Sequence, residues 1–220
     1  ADALSSVPLP AADAYDAMHR VELAFDAHDL PAATAAAASM LRASPDSRES
    51  LELRMRLAAY RGATDEALAA CDALLERYPD VPALVLRRYT FMHARAGRAE
   101  RVAFLQRHAR LRDTALFEAR ADELRVEEAT ADEAARLLRL VLRYVPESPT
   151  AHHVLADLGA TRGDEPLRVL EHYRLAVCSD LASEHFARAY FDAARGVGRD
   201  DEAMSLLQRR VERAGDRATG

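Results

Sequence analysis

The sequence predicts an all-α protein built from repeated helical hairpins, and the first observation behind this prediction is a regular break in the chain. Pro45 and Pro79 each follow a helical stretch, and they lie 34 residues apart. Pro146 follows 67 residues after Pro79, which is close to two further periods. A fixed period of roughly 20 to 50 residues is typical of proteins that stack one supersecondary unit many times.

The second observation is a helix stop that is followed at once by a helix start. In residues 62–68, 163–167 and 198–204 a glycine precedes an acidic segment and then apolar residues, and residues 130–134 repeat the start. Glycine adopts the left-handed backbone that ends a helix, and Glu is favourable near the positive helix N-terminus. We therefore expect Asp or Thr to cap the second helix of each hairpin with its side-chain oxygen.

The third observation is that apolar residues recur at the spacing of one helix face. The first helices of the hairpins are predicted to bury Ala17, Val21, Ala24, Leu51, Met55, Ala58, Val85, Tyr89, Met92, Phe117, Ala121, Leu124, Ala187, Phe191 and Ala194. The second helices are predicted to bury Ala33, Ala37, Met40, Leu41, Ala67, Cys71, Leu74, Leu75, Ala134, Leu138, Val141, Leu142, Ala203, Leu207 and Val211. The small residues in both sets indicate helices that cross closely.

These markers resemble the tetratricopeptide repeat (TPR) family, and the clearest single unit spans residues 155–177. There the turn Gly163-Asp164-Glu165 and the helix of residues 171–177 are similar to the family's turn and second helix. The sequence departs from the family pattern because it has no Trp and no closing Pro near Asp113. The resemblance implies a right-handed α-α superhelix, a solenoid of about six TPR-like hairpins whose first helices line a concave face.

The repeat markers also predict how the chain is divided. The expected hairpins cover residues 14–44, 48–78, 82–112, 114–145, 149–179 and 184–214. One repeat cannot bury its apolar face alone, so we expect residues 13–214 to form a single TPR-like repeat domain. Residues 1–12 are expected to be a flexible N-terminal segment, and residues 215–220 a C-terminal tail.

Composition predicts no membrane insertion and leaves the compartment open between cytoplasmic and periplasmic. The most Ala-rich run, residues 32–40, is shorter than the roughly 18 apolar residues that a membrane helix needs. Cys71 and Cys178 lie far apart in Leu-rich stretches, where free thiols are expected. The chain begins at Ala1 without Met, which is typical of a processed or trimmed chain.

Catalytic signatures are missing, so we expect no enzymatic activity, no catalytic residue and no cofactor. The sequence has no zinc-protease motif, no phosphate-binding glycine loop, no nucleophile elbow and no Cys-x-x-Cys pair. His152, His153, His172 and His185 could in principle meet in a groove and hold a metal ion. Because adjacent helical side chains diverge by about 100°, His152 and His153 cannot easily share one ion. We expect hydrogen bonds there and no metal site.

One charge feature stands out within an acidic chain. Residues 81–112 hold eight arginines and one acid, a net charge of +7, whereas residues 113–133 carry a net charge of −6. We expect four arginines to bind an acidic peptide or a terminal carboxylate by forked hydrogen bonds: Arg56, Arg87, Arg88 and Arg95. Under this hypothesis Arg56, Arg87 and Arg88 are unpaired or loosely paired. The alternative is that these arginines pair with acids of neighbouring repeats.

The function predicted from these observations is a protein-protein interaction scaffold that binds a peptide or protein segment in its concave groove. Nucleic acid is not expected as a partner, because the chain is acidic overall and its arginines are not interleaved with exposed aromatic residues. A second hypothesis is a regulatory or substrate-docking arm cut from a larger bacterial enzyme or export and secretion machine. A remote third hypothesis is a metal-dependent enzyme that uses the histidines.

Overall fold

The computed structural model describes the backbone of residues 12–218 and the side chains of residues 15–213. This part of the chain holds twelve α-helices and no β-strand. The helices are α1 (Ala12–Asp26), α2 (Leu30–Ala43), α3 (Arg48–Tyr60), α4 (Thr64–Arg77), α5 (Pro82–Met92), α6 (Arg98–Arg107), α7 (Thr114–Leu124), α8 (Glu128–Tyr144), α9 (Pro149–Arg162), α10 (Pro166–Ser179), α11 (Glu184–Gly196) and α12 (Asp200–Ala218).

Five of the predicted hairpins form from consecutive helices: α1/α2, α3/α4, α7/α8, α9/α10 and α11/α12. The helices α5 and α6 lie where the third hairpin was expected, and the helix ends in the described chain agree with the prediction to within a few residues. The expected segment 1–12 lies almost wholly outside the described residues. None of the described helices is both long enough and apolar enough to cross a membrane. The prediction of an all-α fold of helical hairpins is confirmed.

Most of the side-chain N-caps in the described chain lie at the start of the first helix of a hairpin. Ser47, Asp113, Ser148 and Ser183 each accept a hydrogen bond from the backbone N–H three residues later, at the starts of α3, α7, α9 and α11. Among the second helices, Asp29 caps α2 in this way. The expected Asp or Thr cap is wrong for α4, α8 and α10, whose starts have no side-chain cap bond.

Backbone hydrogen bonds close the turns before two of these uncapped helices. Gly62 and Gly163 adopt positive φ angles of 71° and 74°, a conformation that glycine reaches without steric cost. The Ala63 N–H then donates to the carbonyl of Ala58 at 2.8 Å, and the Asp164 N–H donates to that of Gly159 at 2.9 Å. The left-handed glycine therefore sets the turn that the sequence predicted, without a side-chain cap.

The helices group into two compact units, residues 1–101 and residues 102–220, and the division falls inside α6. In the first unit, Ala33 and Ala37 of α2 are fully buried against α1 and α3, and Cys71 and Leu74 of α4 are fully buried between α3 and α5. These alanines allow the close helix crossing that the sequence indicated. A single domain over residues 13–214 stays a prediction.

The core of the second unit follows the predicted periodicity until its last helix. Ala134, Leu138 and Val141 of α8 are fully buried, as is Ala194 of α11. Tyr190 of α11, which the periodicity did not include, is 1% exposed. The prediction is wrong for Val211, which is 67% exposed. Val211 lies in the last turns of α12, and the described chain contains no following helix that could cover it.

Candidate functional site

The candidate site is a groove in the first unit, between α3 and α5. These are the first helices of the second and third hairpins. The groove is a pocket of about 370 Å³ that is lined by Arg48, Glu52, Met55, Arg56, Val81, Ala83, Leu84 and Arg87. We call it the α3/α5 groove.

Helix periodicity explains which side chains reach the groove. Arg48, Glu52 and Arg56 are spaced by four residues on α3, so they lie one above another along one side of the helix. The neighbouring face of α3 is buried through Leu51 and Met55. On α5 the buried face likewise leaves room for Ala83 and Arg87, which are also four residues apart. The apolar floor and the charged rim are therefore two adjacent stripes of the same helices.

Two of the three groove arginines have intramolecular partners. Arg48 donates from Nε to Glu52 Oε1 at 2.8 Å. Arg56 reaches both carboxylate oxygens of Glu22 on α1, with Nη2 at 2.6 Å from Oε2. The hydrogen bonds from the Arg56 guanidinium hold the pKa of Glu22 below its usual value. Arg56 also lies over the Phe25 ring, 5.1 Å from the ring centroid, so this side chain is held in place from two sides.

Arg87 is the third groove arginine, and it differs from the other two. Its side chain is exposed. Among the described residues it has no hydrogen-bond or ion-pair partner. Because the lining contains three arginines and the single acid Glu52, the groove has an excess of positive charge, which is least compensated at Arg87.

Arg88 and Arg95 do not line this groove, although the sequence placed them in the same site. Arg88 contacts Asp72 of α4 through two hydrogen bonds, of which Nη2 to Oδ2 is 3.4 Å. Arg95 contacts Asp65 of α4 at 2.9 and 3.2 Å. Both arginines thus pair with acids of the preceding hairpin, as the alternative interpretation expected. The expectation of unpaired or loosely paired groups is wrong for Arg88, and equally for Arg56.

Four histidines of the second unit, those that the sequence singled out, form two separate pairs. His152 Nδ1 lies 3.0 Å from His172 Nδ1, and His152 Nε2 lies 3.0 Å from the carbonyl of Pro146. Since a carbonyl only accepts, Nε2 of a neutral His152 carries the proton, and His172 then donates to Nδ1 of His152. Burial, together with the neighbouring His152, lowers the pKa of His172. The adjacent histidines therefore have different partners, as their angular separation predicted.

The second pair joins α9 to α11. His153 Nε2 lies 2.8 Å from His185 Nε2, and Asp157 Oδ2 lies 3.6 Å from the same nitrogen of His153. Burial lowers the pKa of His153 despite the nearby Asp157 carboxylate. Tyr173 donates to the other oxygen of Asp157 at 2.7 Å. Within the described side chains, no group of three or more His, Cys, Asp or Glu residues is arranged to hold a metal ion.

Three solved structures share this arrangement of helical hairpins. A tetratricopeptide repeat protein from Parabacteroides merdae has a TM-score of 0.65 at 13% identity, with 90% of this chain and 79% of that chain covered. The type IV pilus biogenesis factor PilW has a TM-score of 0.68 at 15% identity, with 91% and 94% covered. YrrB, a TPR protein with an unusual peptide-binding site, has a TM-score of 0.58 at 16% identity, with 79% and 89% covered.

No model of a protein family matches the sequence, and no curated protein matches it. At the identities of the solved structures, the likeness establishes the fold. The chain is an all-α repeat protein with the fold of tetratricopeptide repeat proteins.

Proposed function

We propose that the chain is a non-enzymatic scaffold that binds an acidic segment of a partner protein in the α3/α5 groove. The observation that carries this proposal is Arg87, an exposed guanidinium group without a described partner at a pocket with excess positive charge. A guanidinium group presents a fixed fork of N–H donors that fits a carboxylate in two parallel hydrogen bonds. A side-chain or terminal carboxylate of the partner would supply the missing counter-charge.

The groove also favours a particular sequence around that carboxylate. Met55, Val81 and Leu84 give the pocket an apolar floor beside its charged rim. A volume of about 370 Å³ lies at the small end of the range of ligand pockets, so it fits a few side chains and not a folded domain. The preferred segment therefore carries an acidic residue next to an aliphatic one. YrrB, with its peptide-binding site, is an example of this fold in the same kind of function.

Arg87→Ala tests the proposal, with Arg54→Ala as its matched control. Arg54 is exposed on the same helix as Arg56 but does not line the groove, so both changes remove one exposed positive charge. A labelled peptide of alternating Glu and Leu is titrated into the full chain, and fluorescence anisotropy reports binding. We expect Arg87→Ala to weaken binding about tenfold or more, which corresponds to the loss of one charge-assisted hydrogen-bonded pair.

Three results would count against the groove. One is equal weakening by Arg87→Ala and Arg54→Ala, which indicates general attraction to an acidic peptide. Another is equal binding of a peptide with Gln in place of Glu. The third is tighter binding of a single-stranded RNA of similar length, which would also refute the exclusion of nucleic acid. The affinity of a specifically bound acidic peptide should decrease with added salt, because solvent-exposed ion pairs are screened over about 10 Å at 0.1 M salt.

The second candidate function is a regulatory or docking arm of a larger bacterial enzyme or secretion machine. The similarity to PilW favours it, because that protein has this fold and is a type IV pilus biogenesis factor. Sequencing the surrounding gene tests the idea. A further domain encoded in the same reading frame supports the docking arm, and a frame that encodes this repeat chain alone opposes it.

A further inference from the structure

The second unit contains another basic pocket, which lies between the second helices of the last two hairpins. It has a volume of about 220 Å³. Its walls come from α10, the loop after α10, and α12, and the lining residues are Arg174, Val177, Cys178, Leu181, Leu206, Arg209, Arg210 and Arg213. None of these lining residues is acidic. We call it the α10/α12 pocket.

The four arginines of this pocket are neutralised very unequally. Arg174 is held by Glu171, with two contacts of 2.6 Å between the guanidinium and the two carboxylate oxygens. Arg209, Arg210 and Arg213 have no hydrogen-bond or ion-pair partner among the described residues. The Nε atom of Arg210 is moreover buried without a partner. Buried N–H donors are nearly always satisfied in folded proteins, so an acceptor at this place would complete the pocket.

The spacing of these arginines has an energetic cost. Arg209 and Arg213 are four residues apart on α12, and Arg210 and Arg213 are three apart. Like charges at these spacings face each other and destabilise a helix by a few tenths of a kcal/mol per pair. An anion between them would remove the repulsion and gain hydrogen bonds from several guanidinium groups. The arrangement thus favours a ligand with more than one negative charge.

We propose that the α10/α12 pocket binds the phosphate group of a phosphomonoester. Such a group carries a charge of about −1.5 to −2 at neutral pH and has three strong acceptor oxygens, which matches three arginines that have no ion-pair partner among the described residues. A carboxylate carries a single charge and would leave most of the positive charge uncompensated. Val177, Leu181 and Leu206 provide apolar contacts for the atoms next to the phosphate. The phosphate can belong to a small metabolite or to a phosphorylated protein segment.

A nucleic acid backbone fits this pocket less well. Recognition of a phosphodiester chain uses a basic track that follows several phosphates, whereas here three arginines without a partner among the described residues line one small pocket. The chain as a whole carries a net charge of −6, and α12 itself begins with Asp200, Asp201 and Glu202. A single terminal phosphate is therefore the better match.

Cys178 provides a local reporter for this site. It lines the pocket and is exposed, whereas Cys71 is buried, and burial raises the pKa of the Cys71 thiol to about 11. Because the thiolate is the reactive form, iodoacetamide at pH 7.5 should modify Cys178 and leave Cys71 intact. A ligand in the pocket should slow the modification of Cys178.

The test compares three probes on the full chain: O-phosphoserine, a ten-residue phosphoserine peptide and an unphosphorylated peptide of the same sequence. Mass spectrometry follows the alkylation of Cys178, and calorimetry measures affinity. We expect phosphorylated probes to slow alkylation severalfold, and the Arg209→Ala/Arg213→Ala variant to bind them at least tenfold more weakly. The control is Arg188→Ala/Arg195→Ala, which removes the same charge from exposed positions of α11.

The outcomes separate the sources of the phosphate and the ways in which the proposal fails. Binding of phosphoserine alone as tightly as the phosphopeptide identifies a small metabolite, and much tighter binding of the phosphopeptide identifies a protein segment. Equal protection of Cys178 from alkylation by the unphosphorylated peptide would overturn the proposal. It would also be overturned by equal losses in the two double variants, or by an RNA without a terminal phosphate that binds as well as the phosphopeptide.

Discussion

The two basic sites of the molecule differ in how their arginines are neutralised. In the first unit, Arg48 and Arg56 of the α3/α5 groove are paired, and Arg87 alone has no described partner. In the α10/α12 pocket of the second unit only Arg174 is paired, and three arginines are left without a described counter-charge. Yet residues 81–112 have a net charge of +7, whereas residues 200–213 have a net charge of −1. Net charge along the sequence therefore does not show where uncompensated charge lies in space.

The difference arises from how a repeat protein places acids next to arginines. Arg88 and Arg95 belong to the most basic stretch of the chain, but α4 presents Asp72 and Asp65 to them. On α12 three acids lie in the first turn, more than one helical turn away from Arg209. Glu212 follows Arg209 by three residues but forms no ion pair with the pocket arginines among the described side chains. An acid in the same segment therefore lowers the net charge without neutralising the arginine.

The largest expected effect concerns core packing. Enlarging one buried alanine in each unit tests whether the cores of the two units are equally well packed. Ala67 of the first unit and Ala134 of the second are both 0% exposed. Ala67→Leu and Ala134→Leu should each lower the free energy of unfolding by about 1–3 kcal/mol, because a filled core has no room for three more carbons. Urea denaturation measures the effect, with the exposed positions Ala69→Leu and Ala129→Leu as controls.

The same experiment sharpens the comparison of the units. If residues 13–214 form one cooperative domain, each replacement shifts one common transition. Two transitions that respond separately to Ala67→Leu and Ala134→Leu would instead define two domains. Unchanged midpoints for both buried positions would show that the assigned helix faces are wrong.

The second expected effect is a loss of stability in mild acid that is confined to the second unit. The pKa values of His153 and His172 are lower in the folded chain than their usual value of 6.5. The unfolded chain therefore binds more protons as pH falls through 6.5, so folding stability decreases from there toward the folded pKa. In the first unit, the pKa of Glu22 is below 4.5, so its contribution is present above 4.5 and is lost only at lower pH.

Hydrogen exchange at pH 7.5 and pH 5.5 measures this difference between the units. We expect faster exchange at pH 5.5 in α9 to α11, after correction for the intrinsic rate, and little change in α1 to α4. His153 is surrounded by Asp157, His185, Tyr173 and Phe186. In His153→Phe the acid response of α9 and α11 should decrease. An equal acid response in both units would contradict the assignment to the histidine pairs.

The fold and part of the candidate site could be predicted from the sequence, because some of their signals are local and some of their contacts recur at the repeat period. Prolines, turn glycines and apolar spacing are local signals, so they predicted the positions of the twelve described helices. Glu22 and Arg56 lie 34 residues apart, which is one repeat period, so equivalent positions of successive first helices pair and this contact was open to prediction. His153 and His185, 32 residues apart, follow nearly the same rule.

Other contacts carry no such periodic signal. Arg88 and Asp72 are 16 residues apart, and their pairing depends on how one second helix crosses the next first helix. Arg48 was missed as a groove residue although its spacing of four and eight residues from Glu52 and Arg56 places it on the same side of α3. The α10/α12 pocket was missed because its arginines come from a segment that is almost neutral. Pairing in three dimensions, and not composition, defines both sites.

The smallest expected effect concerns Arg87 and Arg88, adjacent arginines that differ in their partners. Arg88 is part-buried, contacts Asp72 and packs along α5 toward Met92, so Arg88→Ala removes an ion pair and alkyl contacts together. We expect a loss of about 1 kcal/mol in the free energy of unfolding, at the upper end for ion pairs near a protein surface. Arg87→Ala should change stability by less than about 0.5 kcal/mol, as is usual for exposed positions.

Thermal and urea unfolding of both single variants and of the double variant measure these changes. Since Arg87 has no described partner, the double variant should unfold like Arg88→Ala alone. A stability loss in Arg87→Ala as large as that in Arg88→Ala would mean that Arg87 is also neutralised within the chain, and the groove would then lose the free guanidinium on which acidic-peptide binding depends. Conversely, weaker peptide binding by Arg87→Ala at unchanged stability would separate the binding arginine from the structural one at adjacent positions of one helix.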